Sequence, residues 1–331
     1  MMTGESSAPE RSNRERLLRG LALLISIVSL AAVVVWASKQ PAPKLPTSLQ
    51  SLATLAGGIA VYALATALRG ERATRLLLHT GARPSRSDAY GLTVVGYMGN
   101  TVLPARGGDA IRVYLQAPRA ATSMRNVIGT LVAERILDTV TLLSLFVVLA
   151  YGVLRGVDAP SGNKLAIVAA AVVVIVLVAA VFAYLARHRD WVRRLLDFLR
   201  PISVATLGLR GAHGARMLAL TLAIWIAETG TYFVVSRATG LDLDPLEALY
   251  LVALASVFVL IPAGPGYAGT LDAAIIFGVK AVGGSGAEAV SYLITLRFVL
   301  LIPITLAGLS LVLTRYGGFS RLRGAEGAVP R

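Results

Sequence analysis

Between residues 17 and 313 the chain is a succession of apolar runs, and that pattern constrains everything else it can fold into. The runs cover 17–37 and about 50–68, 126–150, 164–186, 217–237 and 288–313. Each is near or above the roughly 20 residues that cross a hydrocarbon core. The first is 21 residues long and leaves through Trp36, Lys39 and the turn PAPKLP, with no small-residue cleavage site. It is expected to be a retained helix rather than a signal peptide. Composition agrees, with 56% of residues hydrophobic and 15% charged, where a soluble domain carries about 25% charged residues. A soluble enzyme and a disordered chain are thereby excluded. The absence of cysteine removes disulfide frameworks and thiol chemistry, and with three histidines no metal or cofactor is expected.

The formal charge of +14 would point to nucleic acid in a soluble protein, so its distribution decides its meaning. With the N-terminus placed in the cytoplasm, 22 of the 32 basic residues, Arg69 and Arg72 among them, fall in cytoplasmic segments, 6 in outer segments and 4 at membrane depth. Cytoplasmic loops carry the Lys/Arg excess, so six full spans in the cell membrane with both termini inside are expected, and no nucleic-acid partner. The stretch 187–200 (RHRDWVRRLLDFLR) reads as a basic amphipathic helix on the inner leaflet. His79, His188 and His213 fall in cytoplasmic loops on this reading and are expected to be solvated.

Two apolar regions, 88–117 and 246–281, are cut in the middle by LPARGG (103–108) and IPAGPG (261–266). Their pieces, at about 10 to 16 residues, span roughly 15 to 24 Å as helix, short of a core about 30 Å thick. Broken hairpins that enter and leave on one side fit these lengths; two short full crossings per region preserve the same charge parity and remain open. Both elbows read Leu/Ile-Pro-Ala-x-x-Gly, and Pro104 and Pro262 follow an acid-Ala pair by 16 and 15 residues. The expected architecture is an all-α inverted-topology repeat. A polar tail (1–16) precedes a first repeat (17–150), an outer loop (151–163), a second repeat (164–313) and a basic tail (314–331). Interrupted segments at corresponding positions of inverted halves point to a binding site where they meet. The elbow residues Pro104, Gly107, Gly108, Pro262, Gly264, Pro265, Gly266 and Gly269 are therefore of interest.

Ionisable groups at bilayer depth face a cavity or one another. In AERILD, Glu134 and Asp138 share a helix face, and Arg135 and Asp138 can meet. Asn100, Arg106, Asp109 and Arg112 surround the first elbow, Asp272 follows the second, and Glu228 and Arg297 lie on long spans without a local partner. Four arginines against five acids make a nearly neutral set, which implies internal pairing. These ten residues form the candidate substrate-binding set. Arg106 beside two glycines would let a phosphate approach a planar fork donor and backbone N–H groups.

These motifs, GNTVLPARGGDAIRVYL (99–115), ERILD (134–138) and IPAGPGYAGTLDAAI (261–275), make the chain resemble the lysylphosphatidylglycerol synthase transmembrane region, or flippase-like integral membrane family, over about 17–313. The resemblance points to Asn100, Pro104, Gly108, Arg112, Glu134, Arg135, Asp138, Pro262, Gly266 and Gly269. Asp109 and Asp272 stand where that family more often has Glu, which shortens the reach of each carboxylate. It implies movement of a polar-headed lipid, phospho- or polyprenyl-linked, between leaflets. Membrane lipids would then be both substrate and solvent, and a separate lipid-modifying enzyme a possible partner. The aminoacyltransferase activity found beside such a region in the bacterial multiple peptide resistance factor is expected to be absent here, so no catalysis is assigned. Two rival readings stand beside it. One is a membrane enzyme or enzyme subunit in polyprenyl-phosphate sugar transfer or lipid modification, for which Asp242 and Asp244 in LDLDP are the local candidates, though such turns are common helix caps. The other is a non-transporting scaffold.

Overall fold

The computed structural model describes residues 27–152 apart from 29, 44, 104 and 105, and residues 211–318 apart from 260–263. Pro104, Pro262, the 164–186 span and the 187–200 amphipathic stretch lie outside the described residues. Among the described residues the fold is entirely helical. The helices are α1 (Leu49–His79), α2 (Arg86–Val102), α3 (Gly107–Arg119), α4 (Met124–Gly152), α5 (Gly211–Thr239), α6 (Pro245–Phe258), α7 (Thr270–Ala281) and α8 (Gly286–Thr314), with a 3-10 turn at Pro265–Tyr267. Among these residues α1, α5 and α8 are long and apolar enough to cross a membrane. Both regions read as broken are broken, one between α2 and α3 and the other between α6 and α7.

The helix starts are written in short-range chemistry. Asp244 caps α6 by accepting from Leu246 N and Glu247 N at 2.7 and 2.8 Å, while Glu247 accepts from Asp244 N at 2.8 Å and Pro245 takes the first helical position. This capping box satisfies backbone donors that a helix start leaves open. Ser285 and Glu288 repeat it at α8. Asp242 pairs with Arg237, so both acids of LDLDP are engaged locally.

Contacts divide the chain into two units. One contains residues 1–62, 94–112 and 228–331, and the other 63–93 and 113–227. In the second unit, α1, α4 and α5 pack in layers that can be counted along the chain. Leu76, Ala133 and Met217 form a buried apolar layer, with Leu137 and Leu220 against it. One turn on, Arg72 donates to both oxygens of Asp138, at 2.6 and 2.9 Å, and to Thr221 Oγ1 at 3.0 Å. Numbers fall along α1 while they rise along α4 and α5, so α1 runs antiparallel to both.

One expectation is corrected here and another is extended. Arg69 and Arg72, counted among loop charges, are helical and only 6% and 1% exposed. Arg135 is the neighbour expected for Asp138 and its charge does act on that carboxylate, but the bidentate partner comes from 66 residues away. Helical spacing reports only neighbours on the same helix. His79 and His213, read as solvated, stack with ring centroids 4.4 Å apart at the ends of α1 and α5, although His79 itself is exposed.

In the first unit, small residues allow close helix approach. A Cβ on Gly108 would overlap Gly96 O and Asn100 N, and one on Gly99 would overlap Gly108 Cα, so the two sides of the first elbow touch through backbone. Such contact exploits glycine's missing side chain, as packing inside membranes commonly does. Tyr292 on α8 donates to Tyr232 O on α5 at 3.0 Å.

Two stability outcomes follow. Asp138→Asn removes the counter-charge of a buried arginine and should cost about 3–5 kcal/mol, whereas Arg72→Met with Asp138→Leu should recover most of that loss. Thermal unfolding of the detergent-purified variants checks this, and a double variant no more stable than Asp138→Asn contradicts it. Gly108→Ala should abolish recovery of monodisperse protein. Gly57→Ala, whose Cβ would meet Val234 Cγ1 at an ordinary 3.9 Å, should be tolerated; size-exclusion chromatography separates the outcomes.

Candidate functional site

A broken helix inside an apolar chain frees backbone groups that lipid cannot satisfy, so each break must be answered by protein or a wet cavity. At the first elbow the answer is local. Asn100 on α2 donates through Nδ2 to Asp109 Oδ1 at 3.1 Å, and its Oδ1 accepts from Asp109 N at 3.2 Å. Asp109 is the third residue of α3, so this reciprocal pair ties the end of one helix to the open N–H groups of the next.

The second elbow is held from a distance. Arg297 on α8 donates Nε to Asp272 Oδ1 at 2.5 Å, Nη1 to Gly266 O at 2.5 Å and Nη2 to Tyr267 O at 3.3 Å. Asp272 uses its other oxygen to accept Gly269 N at 2.8 Å, which caps the start of α7. One ion pair thus satisfies carbonyls of the 3-10 turn and a donor of the following helix. Asp272 is 5% exposed, and charge-assisted bonds of this kind are the strong ones in a dry setting.

The two elbows meet within the first unit. Arg106 donates Nη2 to Val259 O at 3.3 Å, at the C-terminal cap of α6, and its guanidinium lies 5.8 Å from the centroid of the Tyr267 ring. Gly266 is close to the end of α2, since a Cβ there would stand 3.5 Å from Thr101 O. Arg106 and Tyr267 both hold left-handed backbone, with φ of 57° and 55°. That conformation costs a non-glycine residue on the order of 1–3 kcal/mol and persists where surroundings hold it, often at functional positions. Gly266, at φ 61°, takes the same region without that cost.

The remaining candidates divide by unit. Arg112 and Glu228 belong with the elbow residues in the first unit; Arg112 is buried, its stem packed on Gly96, and Glu228 is half-buried on α5. Glu134, Arg135 and Asp138 belong to the second unit, where Glu134 is buried and Arg135 half-buried. Of the elbow glycines, Gly107 opens α3, Gly108 makes the close contact, Gly264 and Pro265 open the 3-10 turn, and Gly269 precedes α7. Sequence reasoning missed Arg72 and Tyr267. A signal for the first existed in Arg69, Glu71, Arg72 and Arg75 at helical spacing beside an apolar run; Tyr267 carried none beyond its place in the elbow.

The family described as "Lysylphosphatidylglycerol synthase TM region" matches residues 20–308. A protein named glycosyltransferase AglD from Haloferax volcanii is 26% identical over 314 residues, covering 80% of this chain and 49% of its own length. The chain therefore spans about half the length of that relative. A UPF0104 membrane protein of Methanocaldococcus jannaschii is 26% identical, covering 63% of this chain and 90% of its own length. A UPF0104 membrane protein of Methanothermobacter thermautotrophicus is 25% identical, covering 56% of this chain and 63% of its own. The family match takes in α1 to α7, most of α8 and both elbows, and with the apolar helices it makes this a multi-pass membrane protein. The chain belongs to the lysylphosphatidylglycerol synthase transmembrane region family.

Proposed function

We propose that the protein is a flippase-like transporter that moves a polar-headed lipid, phospho- or polyprenyl-linked, between leaflets of the cell membrane. The observation that carries this reading is the meeting of two interrupted segments, about 150 residues apart, through Arg106, Val259 and Tyr267 in one unit. Interrupted helices that meet are where transporters place their substrate site. The headgroup phosphate would be received by Arg106, Arg112 and Arg297, with Asn100, Asp109, Glu228 and Asp272 holding those cations between binding events. Glu134, Arg135 and Asp138 lie in the other unit and form no part of this elbow site. Acyl chains would stay in lipid.

The topology belongs to the same proposal. Six full spans, two re-entrant hairpins and an inverted repeat would give the two elbows opposite directions of approach, and rocking of the halves would alternate access. With Arg69 and Arg72 set aside as buried helix residues, 20 basic residues remain on the side assigned to the cytoplasm against 6 outside, which supports cytoplasmic termini. The relative named as a glycosyltransferase supports a second reading, a membrane subunit serving lipid-linked sugar transfer. The cap and ion-pair roles of Asp244 and Asp242 weigh against a catalytic centre at LDLDP.

Reconstitution with fluorescent phospholipid and polyprenyl-phosphate analogues tests transport directly. The wild type should exceed empty liposomes, and Arg106→Gln should lower the rate at least tenfold while thermal stability changes little. Rates equal to empty liposomes across a broad lipid panel would sink the idea, and sugar transfer lost on changing Asp242 and Asp244 would favour the second reading. Single cysteines along 99–112 and 261–272, on a background without native cysteine, should label the two elbows from opposite faces of the membrane. Labelling of both from one face contradicts the inverted repeat.

A further inference from the structure

In the second unit the layers of α1, α4 and α5 continue one turn beyond the Arg72–Asp138 pair. Counting on from Arg72, Asp138 and Thr221 brings Arg69, Thr141 and Trp225 to the next level. The register is confirmed where α1 and α5 meet, because the Arg69 guanidinium lies 5.9 Å from the Trp225 ring centroid. All three residues are buried, at 6%, 5% and 8% exposure.

The chemistry of this layer is lopsided. Trp225 Nε1 and Thr141 Oγ1 are buried with no hydrogen-bond partner among the described residues. An indole N–H can only donate, a guanidinium can only donate, and a hydroxyl can donate. The carboxylate one turn away takes two bonds from Arg72 and also feels the Arg69 charge, and Glu134 lies further along the same stripe of α4, so the donors of this layer left without an acceptor are the indole and the hydroxyl. Buried donors without acceptors are rare in folded proteins and call for explanation. A water would bring donors of its own that need acceptors, whereas a phosphate-type oxyanion is acceptor-rich and matches the guanidinium fork.

We propose that Arg69, Thr141 and Trp225 form a second binding site, separate from the elbows, for a phosphate group: that of a lipid headgroup or free phosphate. The site asks of Arg69 its charge, held against the indole, and of Trp225 and Thr141 one donated hydrogen bond each. It lies wholly within one unit and does not depend on the transport reading, so a failed lipid-movement assay leaves it standing.

Trp225 reports its own occupancy once the other two tryptophans are removed, as Trp36→Phe and Trp191→Phe in the full chain. The detergent-solubilised protein is titrated, at constant ionic strength held with chloride, with inorganic phosphate, with phosphatidylglycerol in mixed micelles, and with phosphate-free diacylglycerol. A saturable change in Trp225 emission is expected with phosphatidylglycerol and none with diacylglycerol. A response to inorganic phosphate as well assigns the site to phosphate itself, and its absence to the lipid. Arg69→Gln should abolish the response, and Thr141→Val should weaken affinity about tenfold, the loss of one hydrogen bond to a charged group. No saturable change with either phosphate source, an equal response to diacylglycerol, or unchanged affinity in Thr141→Val overturns the proposal. If Arg69→Gln is not recovered as monodisperse protein, Thr141→Val decides alone.

Discussion

The Arg297–Asp272 pair holds the second elbow in a form that an apolar chain can tolerate. Helices broken by Pro and Gly leave carbonyls and N–H groups that hydrocarbon cannot solvate. A guanidinium answers two carbonyls at once, and a carboxylate answers both the guanidinium and the first donor of α7. Neither partner could be buried alone, because an unpaired charge in low dielectric is far costlier than an open carbonyl. Their pairing turns two liabilities into one staple. Arg106 does related work between the elbows, donating to the end of α6 from a backbone position that a non-glycine residue rarely holds.

The second unit applies the same physics without a break in the chain. Arg72 sits among α1, α4 and α5 with its charge met by Asp138 and a further donor taken by Thr221. An apolar layer lies on one side of this pair and the Arg69–Trp225 contact on the other. Hydrophobic matching alone would permit these helices to slide by a turn; a bidentate ion pair permits one register, the best attested use of buried charge.

How far these features could be read in advance depends on sequence distance. The breaks at 103–108 and 261–266, the capping box at Asp244 and Glu247, and the Asn100–Asp109 tie across nine residues all rest on local chemistry, and each was visible or half visible in the chain. Asp272 and Arg297 were both singled out, yet their pairing across 25 residues was not, and the bidentate partner of Asp138, 66 residues back, was not foreseen beside its neighbour Arg135. Arg72 looked like a loop charge because hydropathy alone ends a span at the first cluster of charges, while the helix of α1 runs on to His79.

The amino-acid sequence by itself determined that this protein is a helical membrane protein, where its helices start, and where two of them must break. Those outcomes follow from runs of apolar residues, capping chemistry and the backbone limits of Pro and Gly, all of which act within a few residues. Only the tertiary structure decided which charges share a partner, that the two elbows meet, and that buried donors stand one turn from the Arg72–Asp138 pair. Such pairings join residues far apart in the chain, and periodicity, which places a side chain on a face of its helix, does not name the helix opposite.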